Sequence, residues 1–187
     1  MLACIGVAKE TATVSNTGVK GFDPTRLKAA RERAGLTQRD LAEKLITATQ
    51  VEQDDSGPSA VSLEQLRQLS RKIESARTLI NYYEVGKRTP RADMLYQLAA
   101  ALDVDPLDLL APGSPITLAT LRARRGLLQE DVARHLNRSR AYYARMETGT
   151  AEISAEDRQR LAALLGINAS RVGEAVSDAE TGETADS

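Results

Sequence analysis

The sequence has one cysteine, one histidine and no tryptophan among its 187 residues. A single cysteine, Cys4, excludes an internal disulfide and any zinc site made of several cysteines. A single histidine, His135, argues against histidine-based catalysis and against a cluster of histidine metal ligands. The sequence also offers no nucleophile–base pair and no phosphate-binding loop. We therefore expect a protein that is not an enzyme and that uses no metal and no cofactor.

Long apolar runs and aromatic residues are also scarce. No apolar stretch approaches 18 residues, and the N-terminal region lacks the pattern of a secretion signal, so we expect a cytoplasmic protein. Aromatic residues make up 3% of the chain and apolar residues 42%. The cores must then be built from aliphatic side chains, which suits small helical bundles. A length of 187 residues allows one medium domain or two small ones.

The net charge is only −1, but its distribution along the chain is uneven. Residues 113–172 hold ten arginines and six acidic residues, a net charge of +4. Residues 22–112 hold thirteen basic and fourteen acidic residues. The last fifteen residues, 173–187, carry five acidic side chains and no basic one, which is typical of a solvated end or of a weak competitor for a basic surface. The second half is therefore the better electrostatic match for nucleic acid.

One pattern occurs twice in the chain. Gly35-Leu36-Thr37-Gln38 is followed later by Tyr83-Glu84-Val85-Gly86, and Gly126-Leu127-Leu128-Gln129 is followed later by Met146-Glu147-Thr148-Gly149. An arginine-bearing amphipathic segment precedes each pattern. This order of signals predicts helix, turn, helix, turn, helix in both halves. A helix-turn-helix presents one short helix to the major groove of DNA.

Helix-start and turn signals divide the chain further. Asp23-Pro24 predicts the start of the first helix, with a second helix from Gln38 to Leu45. Pro90 predicts the start of a later helix, and Ala169 predicts the start of a last short one. We predict five segments along the chain: a flexible arm over 1–21, a first domain over 22–112, a linker over 113–116, a second domain over 117–172 and a disordered acidic tail over 173–187.

These motifs resemble the Xre/Cro-C1-type helix-turn-helix repressors of bacteria and phages. The resemblance implies an all-α fold with two small lambda-repressor-like bundles in tandem. In the second domain Gln129 lies 18 positions before Glu147, which is the family spacing, whereas Gln38 lies 46 positions before Glu84. The first domain therefore carries an insertion of 28 residues, at about 46–74.

Two interpretations of this insertion are open. In the first, which we favour, the insertion extends the recognition helix backwards, because apolar residues continue at steps of three and four through Leu66, Leu69 and Ile73. That stripe is the core face of the helix or a dimer seam. In the second, Thr47 to Gly57 is a degenerate recognition turn and Leu63 to Ile73 is its fourth helix. Asp54 falls where this second interpretation needs an apolar residue.

The resemblance also implies which side chains meet DNA. Base-contacting positions lie at the exposed start of each recognition helix, where arginine suits guanine and a small side chain suits a thymine methyl. They are Arg77, Thr78 and Tyr82 in the first domain and Arg140, Ala141 and Arg145 in the second. Phosphate contacts are expected from the glutamines that open the second helix and from basic residues nearby. They are Gln38, Lys87, Arg88, Arg91, Gln129 and Arg138.

Glu84 and Glu147 have a different expected role. The resemblance pairs them with Arg31 and Arg122 of the preceding helices, as partly buried ion pairs that fix the angle between helices. By register, Tyr83 and Tyr143 face the cores.

The sequence thus favours a sequence-specific regulator that binds double-stranded DNA, most often as a repressor, in a prokaryotic nucleoid. The alternative is a protein-interaction module, antitoxin-like or co-regulatory, that binds a partner through the first domain. A homodimer or a protein partner would use the insertion at 46–74.

Overall fold

The computed structural model describes residues 18–51 and 62–182, and these ranges contain α-helices and one 3₁₀ helix but no strand longer than a single bridge. Across these ranges no helix is both long and apolar enough to cross a membrane. The helices are α1 Pro24–Arg33, α2 Gln38–Val51, α3 Leu63–Glu84, α4 Ala92–Leu102, the 3₁₀ helix Pro106–Leu109, α5 Leu118–Arg124, α6 Gln129–Leu136, α7 Arg140–Glu147, α8 Ala155–Leu165 and α9 Ala169–Gly182.

The first group of helices, α1 to α4 with the 3₁₀ helix, is called unit one below. Asp23 caps α1 by accepting a hydrogen bond from the backbone N–H of Thr25 at 2.8 Å, and Pro24 takes the first helical position, where no N–H is needed. The core beneath these helices is aliphatic, with fully buried Leu27, Leu41 and Leu98 at its centre. Burial of such side chains is the main force that holds the helices together.

The second group, α5 to α9, is called unit two. Ser139 caps α7 and Ser154 caps α8, each accepting a hydrogen bond from a backbone N–H three residues further on. Tyr143 and Met146 of α7 are fully buried against α6, α8 and α9. The prediction that Tyr83 and Tyr143 face the cores is confirmed.

The insertion lengthens two helices and not one. α3 is a single 22-residue helix from Leu63, so the interpretation in which Leu63 to Ile73 forms a separate fourth helix is wrong. Its start is fixed by a reciprocal pair of hydrogen bonds between Ser62 and Gln65. α2 continues to Val51, past its predicted end at Leu45, because Leu45 and Ile46 find apolar partners along α3 and α4. The proposed turn residues 52–57 lie outside the described residues.

Three predicted boundaries are wrong. Residues 18–21 do not belong to a flexible arm, because Val19 is buried and its N–H donates to the carbonyl of Pro90 at 2.9 Å. Residues 173–182 are not disordered, since α9 continues through them and Ala175 is buried in the unit-two core. The helix predicted to start at Pro90 begins at Ala92. Residues 1–17 and 183–187 lie outside the described residues.

Candidate nucleic-acid interface

Each unit contains the same buried hydrogen-bond network, built on one glutamate. In unit one Arg31 donates to Glu84 through Nε at 2.6 Å and Nη2 at 3.0 Å, and Gln38 Nε2 donates to Glu84 Oε2 at 2.8 Å. Nη1 of Arg31 donates to the carbonyl of Leu36 at 2.8 Å. The network therefore joins the end of α1, the start of α2 and the last turn of α3. Its hydrogen bond to Glu84 raises the pKa of Arg31 above its usual value.

The network of unit two repeats this geometry. Arg122 Nε donates to Glu147 Oε1 at 2.6 Å, and its Nη1 donates to the carbonyl of Leu127 at 2.6 Å. Gln129 Nε2 donates to Glu147 Oε2 at 2.7 Å. Only 11% of the Arg122 side chain and 6% of the Glu147 side chain are exposed. Both expected ion pairs are therefore present in the structure, and each fixes the recognition helix against the two helices before it.

The two glutamines have a structural role that the sequence did not reveal. Both side-chain N–H groups point into the networks towards Glu84 and Glu147, so they are engaged within the protein. In unit two the remaining oxygen of Gln129 also receives a long hydrogen bond from Arg140 Nε at 3.5 Å. Their contact with phosphate stays a prediction.

The start of α7 is an exposed basic tip. Ser139 precedes it as the cap, and Arg140 and Ala141 are its first two residues, both exposed. Arg145 is exposed one turn further on. A helix N-terminus already favours anions through its N–H groups and its dipole, and Arg140 at the first helical position adds to that attraction.

Tyr142 holds two arginines beside that tip. The guanidinium carbons of Arg138 and Arg145 lie 5.6 Å and 5.5 Å from the centre of its ring, which are cation–π distances. Arg138 also donates from Nη2 to the buried carboxylate of Asp157 at 3.1 Å. The stacking and the ion pair restrict both side chains before any ligand binds, which lowers the entropy that binding would cost.

The corresponding positions of unit one are placed differently. Arg77 and Arg140 both lie seven positions before the buried glutamate, yet Arg77 is in the middle of α3, with fourteen helical residues before it. Its Nε donates to Glu74 at 2.9 Å, and Thr78 Oγ1 donates to the carbonyl of Glu74 at 3.0 Å. The expectation of an exposed helix start at Arg77 and Thr78 is therefore wrong, because α3 continues about 21 Å beyond them.

Basic residues gather at the other end of α3. Lys87 Nζ and the guanidinium carbon of Arg88 lie 5.9 Å and 5.7 Å from the centre of the Tyr82 ring. Arg91 lies 3.7 Å from the carboxylate of Asp93. Tyr82 is thus brought together with two of the three basic residues predicted to contact phosphate in this unit, whereas Arg91 pairs with Asp93. The sequence offered one signal for this cluster, the short spacing between Tyr82 and Lys87-Arg88 in a tight turn.

Burial changes the ionisation of the core tyrosines. Loss of hydration raises the pKa of Tyr83 above its usual value of 10, and it raises the pKa of the more deeply buried Tyr143 much further. Both rings are therefore neutral packing groups. Within residues 18–51 and 62–182, no group of three or more potential metal-ligating side chains lies close enough together to hold an ion.

Comparison with known families agrees with this architecture. A family model described as a helix-turn-helix domain matches residues 116–175, and a second one described as helix-turn-helix matches residues 60–109. The first match spans α5 to α9 as far as Ala175. The second covers α3, α4 and the 3₁₀ helix and leaves out α1 and α2. No curated protein and no solved structure gave a significant match.

The two matches cover different parts of the chain, which therefore carries two helix-turn-helix domains in tandem. Helix-turn-helix domains are DNA-binding modules. The two domains therefore support a DNA-binding regulator in general.

Proposed function

We propose that this protein is a sequence-specific regulator of transcription that acts as a repressor, with unit two as its principal reader of double-stranded DNA. The observation that carries the proposal is the start of α7. Arg140 and Ala141 are exposed there, Arg145 is exposed in the last turn of the same helix, and the angle of the helix is set by the Arg122–Glu147 ion pair. Arg140 and Arg145 would contact guanine, and Ala141 a thymine methyl.

Phosphate contacts would surround this tip. Arg138 lies just before α7 and is held by Tyr142 and Asp157, and the N-terminus of α6 contributes free backbone N–H groups beside Gln129. In unit one Lys87 and Arg88 would contact phosphates of a neighbouring stretch of DNA, and Tyr82 beside them would contact a base there, which makes that stretch a second sub-site. Arg77 and Thr78, which lie in the middle of α3, would contribute less.

A selection experiment tests this function. The full chain is incubated with a pool of randomised duplexes, and bound sequences are recovered at two salt concentrations. We expect a defined motif from the wild type, and loss of that motif with the Arg140→Ala, Arg145→Ala double variant. Two exposed arginines of α8, Arg158 and Arg160, give a control of equal charge, and their double alanine variant should recover the same motif.

Other outcomes of that selection would contradict the proposal. A steep dependence on salt without any motif would leave only phosphate binding, since counterion release is independent of sequence. Absence of binding at low salt would refute DNA recognition itself. If the α8 control lost the motif as well, the effect would be one of net charge and not of base contact.

A second function is supported by the extension of α3. Leu63 and Leu66 are 75% and 48% exposed on this extension, which is an unusual placement for two large aliphatic side chains. Unit one also has a slightly negative net charge over residues 22–112. We propose as the alternative that unit one binds a protein partner, a second copy of this chain included, through the extension.

Sedimentation of the purified chain tests self-association at the extension. A dimer that persists in high salt in the wild type, and that Leu63→Ser with Leu66→Ser converts to a monomer, would support an apolar protein contact. A monomer at all concentrations would refute the homodimer. The control variant, Arg158→Ser with Arg160→Ser, replaces two exposed residues of α8 with serine and should leave the association unchanged.

A further inference from the structure

α5 takes part in the cores of both units. Leu118 and Leu121 on this seven-residue helix are buried among the side chains of unit two. Ala123 on the same helix is 1% exposed and belongs to the apolar cluster of unit one. A helix that buries residues in two cores cannot turn relative to either of them without exposing apolar surface.

An ion pair joins the same helix to unit one. Arg124 donates to Asp105 Oδ2 through Nε at 2.9 Å and lies 2.6 Å from it through Nη2. Asp105 is itself held in place as the cap of the 3₁₀ helix, since its Oδ1 accepts the backbone N–H of Leu107 at 2.9 Å. A pair that is half-exposed contributes little stability, but a charge-assisted hydrogen bond to a carboxylate that is itself held in place favours one orientation.

A close packing contact completes this junction. Gly126 has a φ of +68°, and a Cβ at this position would lie 2.9 Å from the ring carbon Cγ of Tyr96 on α4. The ring of Tyr96 therefore packs directly on the backbone after α5. Gly35 occupies the corresponding turn of unit one with the same φ and has open space around it. The contact with Tyr96 is thus a property of the junction and not of the turn.

The segment that connects the two units, residues 111–117, is short and is held by backbone hydrogen bonds. The N–H of Ala111 donates to the carbonyl of Gly21 at 2.7 Å, and the N–H of Ser114 donates to the carbonyl of Ala111 at 3.1 Å. Only seven residues lie between the bridge at Leu110 and the start of α5 at Leu118. This segment is not a flexible linker of the kind that lets two domains reorient freely.

We propose that α5 locks the two helix-turn-helix units in one relative orientation, so that the DNA target consists of two sub-sites at one fixed spacing. Three consecutive residues of α5 make the contacts that hold the two units in this orientation. Arg122 sets the angle of α7, Ala123 enters the core of unit one, and Arg124 holds Asp105. The part of this inference that concerns DNA rests on the proposed function.

The fixed orientation has a geometric consequence on DNA. One turn of B-DNA takes about 10–10.5 base pairs, so five extra base pairs between the sub-sites move one of them to the opposite face of the duplex. Two rigidly joined units cannot then bind together, and the gain from binding as a pair is lost. Flexibly joined units would adapt to the new spacing.

Spin-label distances test the junction without DNA. Labels at Ala29→Cys on α1 and Ala163→Cys on α8, in a Cys4→Ser background, report the separation of the two units, and both positions are exposed. Labels at Ala29→Cys and Ala100→Cys, both within unit one, give the width expected of a rigid pair. We expect the distribution across the units to be single and as narrow as this control.

The loosened variant is Tyr96→Ala with Arg124→Ala, and we expect it to broaden the distribution across the units. Arg160→Ala is the matched control, because Arg160 is 45% exposed, Arg124 is 47% exposed, and each makes a 2.6 Å ion pair. It should leave the distribution unchanged. A broad distribution in the wild type, or no effect of the loosened variant, would overturn the proposal.

The spacing between the two DNA sub-sites tests the part of the proposal that concerns DNA binding. Five base pairs inserted within the selected motif should weaken wild-type binding about 100-fold or more, because the second unit no longer adds to the first. The loosened variant should lose much less on insertion. Equal wild-type affinity for both spacings would overturn the fixed sub-sites. Absence of any motif would refute the proposed function together with the sub-sites, while the label distances would still decide whether α5 locks the units.

Discussion

Removal of the Glu147 side chain should destabilise the protein far more than removal of an exposed glutamate with an equally short ion pair. In the Glu147→Ala variant, Arg122 loses its 2.6 Å partner and Gln129 loses its 2.7 Å acceptor, while Arg122 stays almost completely buried. Hydrogen bonds to charged groups contribute roughly 1.5–3 kcal/mol each. Stranding a buried charge costs about 3–5 kcal/mol.

The matched control is Glu156→Ala. Arg160 donates to Glu156 at 2.6 Å, the same distance as in the buried pair, but 72% of the Glu156 side chain is exposed. Exposed pairs contribute at most about 1 kcal/mol. The comparison therefore holds the length of the arginine–glutamate hydrogen bond constant, while Glu147 differs from Glu156 in its burial and in the second hydrogen bond that it accepts from Gln129.

Urea unfolding followed by circular dichroism gives the free energy of unfolding of each variant. Arg122→Met with Glu147→Leu should recover much of the loss, because apolar residues of similar size replace a buried pair at little cost. The reasoning is refuted if Glu147→Ala costs no more than Glu156→Ala. It is also refuted if the double variant is less stable than Glu147→Ala alone.

Two further predictions concern the turns of the two units. Gly126→Ala should lower the free energy of unfolding by clearly more than Gly35→Ala. Both glycines have φ +68°, so an alanine at either position carries about 1 kcal/mol of backbone strain. Only at Gly126 would the added Cβ also contact the ring of Tyr96. Calorimetry of both variants checks this, and equal losses would contradict it. The hydrogen bond that the backbone N–H of Thr37 donates to the Asp40 carboxylate at 2.8 Å lowers the pKa of Asp40. This carboxylate therefore contributes stability above its unfolded pKa of about 3.9 that is lost as pH falls through the lower folded value. Asp40→Asn should therefore reduce the pH dependence of unfolding below pH 4, and an unchanged pH profile would contradict this.

Helix starts were predictable from local chemistry. Asp23, Ser139 and Ser154 cap their helices by accepting hydrogen bonds from N–H groups two or three residues away. Contacts between residues so close in the sequence can be predicted from residue type and spacing. The resemblance to the Xre/Cro-C1-type repressors also implied which residues of distant helices would pair, Arg31 with Glu84 and Arg122 with Glu147, and the structure contains both pairs.

Helix lengths and contacts across the fold were not predictable in the same way. α2 extends past Leu45 because α3 offers it an apolar partner, and α9 extends past Val172 because Ala175 enters the unit-two core. Both are tertiary effects that override a composition typical of loops. The partner of Arg138, Asp157, lies on another helix, and nothing in the local sequence marks it as an ion pair.

The role of α5 could not be predicted either, because it also depends on tertiary contacts. Its sequence shows a short amphipathic helix, and the resemblance pairs Arg122 of this helix with Glu147 of the recognition helix. Only the packing shows that Ala123 belongs to the other unit. An alanine carries no signal for the core in which it will be buried.

The most direct measurement of the central claim is the specificity ratio, the affinity for the selected motif divided by that for a scrambled duplex at one salt concentration. We expect Arg140→Ala to lower this ratio by a factor that corresponds to about 1–3 kcal/mol of binding free energy and to relax the base preference at one position of the motif. The affinity for the scrambled duplex should change little. An equal loss of affinity for both duplexes would show that Arg140 contacts only phosphate, and it would contradict base recognition by the start of α7.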